Sequence, residues 1–147
     1  MGKKVFKNGK VYEGSWRNNQ QEGAGKLLSA DGQLEYSGEW KAGKKNGRGV
    51  IYFTNGDIYD GIWRAGKMEG KGAMSYKSGA RYDGLWQANK RHGEGRHEFA
   101  NGEGFEGIWE MGAKHGPGIF ESEGKRWREN WERGKLMQSE PLESESE

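Results

Sequence analysis

The chain has 147 residues, a net charge of +2, 27 glycines, two prolines and no cysteine. The lack of cysteine excludes disulfides, thiolate zinc sites and a cysteine nucleophile, and no run of about 18 apolar residues could span a membrane. Aliphatic residues are few, but 7 Trp, 6 Tyr and 5 Phe are present, and the low net charge argues against disorder. With no N-terminal apolar signal segment, we predict a folded, soluble, cytoplasmic protein with an aromatic core.

Tryptophan recurs every 22 to 24 residues, and an aromatic residue precedes each of these tryptophans by four positions. Glycine lies midway between the two in the first five pairs, so aromatic residue, glycine and tryptophan alternate with the period of a β-strand and share one face. The pairs are Tyr12 and Trp16, Tyr36 and Trp40, Tyr59 and Trp63, Tyr82 and Trp86, Phe105 and Trp109, then Trp127 and Trp131.

Each unit then carries a second strand and two turn signals. The position seven residues after the first aromatic residue is always glycine or asparagine, the residues that best tolerate a left-handed backbone. A Gly-x-Gly sequence with period two follows in the first five units, as at Gly70 and Gly72. The second strand ends at pairs such as Asn55-Gly56, a strong hairpin signal. Each unit is therefore predicted to be a β-hairpin joined to the next by a tight turn.

The fold class that we predict is all-β: a single-layer, curved antiparallel β-meander solenoid of hairpin repeats of about 23 residues. Helix is disfavoured because glycine costs about 1 kcal/mol per helical residue. We expect an N-terminal partial repeat or cap strand at 1–11 and five repeats at 12–126. A truncated sixth repeat at 127–137 would form a C-terminal cap, and 138–147 would be an acidic disordered tail.

The segments from Tyr59 to Gly72 and from Tyr82 to Gly95 resemble the MORN (membrane occupation and recognition nexus) repeat. The resemblance extends over about residues 5–136. It implies a protein-binding groove, a dimerising rod in a cytoskeletal assembly, a part of a ciliary structure, or a binder of acidic phospholipids. It also implies that the aromatic face, made by the ten rings of the first five pairs, lines a trough for a peptide or helix. The alternative is that these rings serve only as the core.

Two further surfaces are candidates for function. On the opposite face, Ile62, Leu85 and Ile108 form an apolar ladder, which is predicted to bind a partner or a second copy of the chain, unless it packs locally. The turns after each tryptophan form a basic edge, which attracts acidic lipids or an acidic partner, or is simply solvated. The residues of this basic edge are Lys44, Lys45, Arg48, Lys67, Lys90, Arg91 and Lys114.

No catalytic or cofactor motif is present. His92, His97 and His115 fall in no metal or triad pattern, and the Gly-x-Gly pairs lack the Gly-Lys-Ser/Thr ending of a P-loop. We expect no enzyme activity, no metal, no cofactor and no nucleic-acid binding. The predicted function is a protein-binding or scaffold module that holds a partner segment in the aromatic trough of a cytoskeletal or ciliary assembly. The alternative is peripheral binding to acidic phospholipids or phosphoinositides through the basic edge.

Overall fold

The structure is a computed structural model that describes residues 1–142. Thirteen antiparallel strands form one sheet in which spatial order follows chain order, so the prediction of an all-β, single-layer meander is confirmed. The described residues include no helix that is long and apolar enough to cross a membrane. The strands are β1 (Gly2–Val5), β2 (Val11–Arg17), β3 (Gln20–Leu28), β4 (Leu34–Lys41), β5 (Lys44–Tyr52), β6 (Ile58–Arg64), β7 (Lys67–Ser75), β8 (Arg81–Gln87), β9 (Lys90–Glu98), β10 (Gly104–Glu110), β11 (Ala113–Ser122), β12 (Lys125–Glu132) and β13 (Lys135–Pro141).

A line of directly paired glycines crosses the sheet, one on each strand from β1 to β11, and we call it the glycine seam. On the aromatic face, the rings of the four buried tyrosines and of Phe105 lie over this seam. A Cβ added to Gly72 would stand 2.2 Å from the Tyr59 hydroxyl oxygen, so the ring leaves no room for a side chain. The seam comprises Gly2, Gly14, Gly25, Gly38, Gly49, Gly61, Gly72, Gly84, Gly95, Gly107 and Gly118.

The two kinds of turn differ in geometry. After each tryptophan, two residues with positive φ link the strands, as at Ala65 (φ 48) and Gly66 (φ 86), which is the type I′ turn that matches strand twist. At the other margin, the N–H of Gly56 donates to the Phe53 carbonyl at 3.1 Å, and Gly56 has φ 99. The predicted left-handed positions are therefore where the sequence indicates them.

The two glycines of each Gly-x-Gly sequence have different roles. Gly70 has φ 83 and lies where the β6–β7 register shifts between Gly61 and Trp63, so it forms a β-bulge. Gly72 lies two residues later in the glycine seam and pairs with Gly61. The first glycine is needed for its backbone conformation, and the second is needed for space.

The C-terminal segment differs from the prediction. Lys135–Pro141 forms β13 and pairs with β12, as at Arg128 and Glu140. The backbone N–H of Leu142 also donates to the Arg126 carbonyl at 2.9 Å. The expectation of disorder is therefore wrong for residues 138–142, and the sixth unit is a complete hairpin. Strand β13 pairs with β12 although it has no Gly-x-Gly sequence. The last unit has no tyrosine ring that would need space over paired glycines, so it can form without extending the glycine seam. The rest of the expected tail, 143–147, lies outside the described residues.

Candidate functional site

The rings of the aromatic face form one continuous edge-to-face stack. The Tyr59 ring lies 5.4 Å from Trp63 of its own unit and 5.3 Å from Trp86 of the next unit, at interplanar angles of 90° and 83°. The same alternation links the units from Trp16 to Trp131. Edge-to-face pairs contribute about 0.5–1.5 kcal/mol each beyond their burial, so the stack joins neighbouring hairpins.

The stack is also the buried core. The four tyrosines and Phe105 have no exposed surface, Trp40, Trp63, Trp86 and Trp109 are 4% to 7% exposed, and Trp16 is half-buried. The Tyr59 hydroxyl donates to the Ile62 carbonyl at 2.9 Å, and the Trp63 Nε1 donates to the Gly49 carbonyl at 3.0 Å. Burial raises the pKa of Tyr59 to about 12. Nine of the ten rings proposed as partner-binding residues therefore have little surface for a partner.

A less buried row of side chains flanks this stack on the same face. It lies beside the turns between units, such as Asn55-Gly56, which we call the Asx-Gly turns. Phe53 is 36% exposed, while Tyr76 and Phe99 are half-buried and pack against the core. We call these three residues the outer aromatic row. Each of them lies two residues after Ile51 or its equivalent, and four residues after the second glycine of a Gly-x-Gly sequence. Because strand side chains alternate with period two, all of these residues lie on the aromatic face. This row was not identified as a site from the sequence, although the period-two spacing from each Gly-x-Gly sequence could have located it.

The residues of the predicted basic edge lie in three different places. Lys44, Lys67 and Lys90 are exposed at the turns, whereas Lys45, Arg91 and Lys114 lie on the aromatic face beside the rings. We call these last three the cation row. Arg48 is exposed on the opposite face, 3.8 Å from Asp60. Adjacent strand residues point to opposite faces, so the sequence could have shown that Lys44 and Lys45 lie on different surfaces.

Arg91 is at the centre of the cation row. Its guanidinium carbon is 4.3 Å from the Tyr82 ring centroid and 4.7 Å from the Trp109 centroid. It donates to the Tyr76 hydroxyl at 2.5 Å and lies 3.1 Å from His97 Nδ1. Because Arg91 is a donor, this imidazole nitrogen accepts. Burial, then the charges of Arg91 and Lys114, lowers the pKa of His97 to about 4.

The two lysines of the cation row repeat this arrangement. Lys114 Nζ lies 4.1 Å from the Phe105 centroid and 4.2 Å from the Trp131 centroid. Lys45 Nζ lies 5.4 Å from the centroids of both Tyr36 and Trp63. Burial lowers the pKa of both lysines. In the intervening unit, Met68 occupies the same position and is buried.

The opposite face carries the apolar ladder, and grooves lie beside it. Ile62 and Leu85 are 38% and 40% exposed, and Ile108 is half-buried. A groove of about 370 Å³ includes Ile62 in its lining, and one of about 700 Å³ includes Ile108. Asp83 lines both grooves. The ladder residues thus remain accessible, with polar surroundings.

The histidines show no catalytic arrangement in the described part of the chain. His92 and His115 lie in strands, and their Nδ1 atoms accept from the backbone N–H groups of Met111 at 3.4 Å and Arg133 at 3.2 Å. They connect each unit to the turn of the next. Among residues 1–142, no group of three or more histidine, aspartate and glutamate side chains is placed to hold a metal ion.

Repeated antiparallel hairpins joined by a continuous ring stack define a β-solenoid built from repeats. The MORN repeat model matches residues 12–34, 36–58, 59–81, 82–104 and 105–125. The chain therefore belongs to the MORN repeat family, which indicates a protein- or membrane-binding module. It is also similar to Alsin of Rattus norvegicus, with 35% identity over 65 residues. That match covers 40% of this chain and 4% of Alsin.

Proposed function

We propose that the protein is a non-enzymatic protein-binding or scaffold module that holds a partner segment along its aromatic face. The observation that carries this proposal is the outer aromatic row, which leaves Phe53, Tyr76 and Phe99 partly open above a rigid, buried ring stack. Aromatic side chains on a rigid platform are common interface anchors. The buried rings then act as the support for the contact surface, and the outer row and the cation row make the contact.

The setting that we propose is a cytoskeletal or ciliary assembly, following the resemblance to MORN proteins. A scaffold in such an assembly needs more than one binding surface. The apolar ladder on the opposite face provides the second one, and we propose that it joins two copies of the chain. Its exposed aliphatic side chains next to open grooves support this role.

The test uses serine substitutions that the repeat itself contains. Ser29 and Ser122 occupy the position of Phe53 and Phe99 in two other units, so Phe53→Ser with Phe99→Ser should preserve the fold. Affinity purification with quantitative mass spectrometry should then show loss of the partners that the unchanged protein captures. Truncating Trp63 or Trp86 would be less informative, because loss of a buried ring costs about 3–5 kcal/mol.

The matched control is Tyr52→Ser, one residue away on the opposite face, where Ser75 stands in the next unit. This control should keep the same partners, and circular dichroism should be unchanged for both proteins. If the Phe53 and Phe99 variant keeps every partner, the aromatic face is not the contact surface. Equal loss of partners by the Tyr52→Ser control would also show that the aromatic face is not the specific contact surface.

The second candidate function is peripheral binding to acidic phospholipid. Lys41 directly faces Lys44, and Arg64 directly faces Lys67, in the register of the two hairpins. All four side chains are exposed, and like charges opposite each other destabilise a strand pair. A bound anionic headgroup would relieve this repulsion. Cosedimentation with phosphoinositide vesicles at moderate salt should be abolished by Lys44→Glu with Lys67→Glu, and no binding by the unchanged protein would exclude this function.

A further inference from the structure

We propose that the cation row binds the carboxylates of an acidic partner segment, which crosses the sheet perpendicular to its strands. This inference rests on the proposed function and adds the chemistry of the partner. It is carried by three cations, Lys45, Arg91 and Lys114, that stand on aromatic rings at equivalent positions of units two, four and five.

The first argument is the lack of counter-ions. Within residues 1–142, none of the three cations forms an ion pair. The carboxylate that acts on Lys45 is Glu35, which is 2.9 Å from Lys10. The carboxylate that acts on Lys114 is Glu129, which accepts from the Trp131 Nε1 at 3.0 Å. The three charges are therefore available to an external anion.

The second argument is the fixed position of each charge. The rings hold the Arg91 guanidinium between Tyr82 and Trp109, and the hydrogen bond to Tyr76 fixes its orientation. A cation that is already partly desolvated and immobilised loses less hydration and side-chain entropy on pairing than a flexible surface lysine does. His97 accepts from the same guanidinium and is neutral at pH 7, so it leaves the positive charge of Arg91 uncompensated.

The third argument is the spacing. The cations project from β5, β9 and β11, and neighbouring strands lie about 4.8 Å apart. Equivalent positions in successive units are therefore about 10 Å apart. A partner segment in the polyproline II conformation has three residues per turn and rises about 3.1 Å per residue, so glutamates at every third residue share one face and match this spacing. Met68 occupies the equivalent position between Lys45 and Arg91 and is buried, so the row has no cation in unit three.

The probe for this proposal is a fluorescein-labelled peptide of about four Glu-Thr-Leu triplets, long enough to span the row. A peptide with glutamine in place of glutamate is the matched probe. Fluorescence anisotropy with the full chain should show binding of the glutamate peptide, weakening as salt rises, and at least about tenfold weaker binding of the glutamine peptide. Equal binding of the two peptides would overturn the proposal, and so would no binding of either peptide.

The decisive variant is Lys45→Met with Arg91→Met and Lys114→Met, because Met68 shows that the position accepts methionine. Its control is Lys44→Met with Lys67→Met and Lys90→Met, which removes the same charge from exposed positions. The first variant should lose about tenfold or more in affinity, and the control should lose much less. Equal loss in both would show non-specific attraction and overturn the proposal. Glutamine at the three positions, as at Gln21, provides a second variant if methionine perturbs folding.

A gain of function completes the test. Unit three has no cation at this position, and Met68→Lys introduces the residue that units two and five hold there. Binding of the glutamate peptide should therefore strengthen several-fold. Unchanged or weaker binding would contradict the proposal that the cation row binds carboxylates. Phosphatidylserine vesicles form a separate arm: if they bind and the cation-row variant abolishes that binding, the ligand is a membrane and the protein partner is rejected.

Failure of this inference can be distinguished from failure of the proposed function. If Phe53→Ser with Phe99→Ser leaves partner capture intact, the proposed function fails. If that variant loses its partner while the cation-row variant keeps it, the aromatic face binds protein but the partner is not held by carboxylates.

Discussion

The ring of Tyr59 lies across the pair formed by Gly61 and Gly72, so closely that a Cβ on Gly72 would stand 2.2 Å from the hydroxyl oxygen and 2.5 Å from the ring. The neighbouring strand therefore contributes space rather than a side chain. The hydroxyl, at the far end of the ring, donates to the backbone carbonyl of Ile62. The glycine seam and the ring stack are thus two parts of one packing arrangement.

Replacing Gly72 with alanine should destabilise the protein strongly. The added methyl must displace a fully buried ring, and overpacking of this kind costs about 1–3 kcal/mol of the free energy of unfolding. Urea unfolding followed by circular dichroism should show this loss. The control is Gly66→Asn, where nothing lies within 4 Å and Asn19 and Asn89 stand in the equivalent turns. We expect that change to be within about 0.5 kcal/mol, and equal stability of both variants would contradict this account of the seam.

Replacing Ala65 with asparagine should stabilise the protein. Ala65 has φ 48, and Asn18 has φ 52 at the equivalent position of the first unit. Asparagine tolerates this left-handed conformation better than alanine, and Asn-Gly is the preferred type I′ turn. A gain of up to about 1 kcal/mol is expected in the same urea assay, as a part of the roughly 1–2 kcal/mol that a left-handed residue costs. The contrasting change, Ala65→Val, should be destabilising, because β-branched residues strongly disfavour positive φ. No difference between the two would remove the strain argument.

The sequence was sufficient for the hairpins, because strand alternation and left-handed turn residues are local signals. It did not separate the roles of Gly70 and Gly72, since a bulge becomes visible only in the register between strands. It also placed Lys44 and Lys45 together in one basic edge, although alternation puts them on different surfaces. Strand β13 was missed because its stability comes from pairing with β12, and no glycine or aromatic pattern marks it.

Replacing His97 with methionine should remove part of the acid sensitivity of the protein. The folded-state pKa of about 4 is below the usual 6.5, so the unfolded chain binds a proton first as pH falls. The contribution of His97 to stability is therefore complete above about pH 6.5 and is lost progressively toward pH 4. Arg91 and Lys114, together with the Tyr76 and Phe99 rings, face this imidazole.

The urea midpoint should therefore fall less between about pH 7 and pH 5 in the His97→Met variant than in the unchanged protein. Methionine suits the site because Met74 occupies the equivalent position of the preceding unit. Nitrogen-15 NMR of the imidazole provides an independent reading, in which His97 should remain neutral at pH 6. An identical loss of stability in the two proteins, or titration of His97 near pH 6.5, would contradict the prediction.

Replacing Tyr59 with phenylalanine should destabilise the protein at neutral pH. The difference in stability between the variant and the unchanged protein should become smaller at alkaline pH. The variant loses the 2.9 Å hydrogen bond to the Ile62 carbonyl, worth about 1 kcal/mol. The pKa of Tyr59 is raised from 10.0 to about 12 by burial, so its contribution is complete below about pH 10 and is lost as pH rises toward 12. Guanidinium unfolding should show the gap between the two proteins narrowing over this range, and a constant gap would contradict the assigned burial. Phe105 shows that the ring itself is accepted at this position.

Replacing Ile62 and Leu85 with glutamate should separate copies of the protein without unfolding it. Both side chains are already 38% and 40% exposed, so the change adds charge without burying it in the core. If the apolar ladder joins two copies, facing glutamates would repel across the interface and leave it without its apolar contacts. Sedimentation equilibrium should then give the monomer mass for the variant and a higher mass for the unchanged protein.

The control for this last experiment is Ile58→Glu, on the same face but outside the ladder. Its side chain is 37% exposed, so it adds a charge to an equally accessible aliphatic position, and the higher mass should persist. Two results would reject self-association through the ladder: a monomeric mass for the unchanged protein at every concentration, or an unchanged higher mass for the Ile62 and Leu85 variant. Loss of the higher mass in the control as well would place the contact outside the ladder, near the Asx-Gly turns.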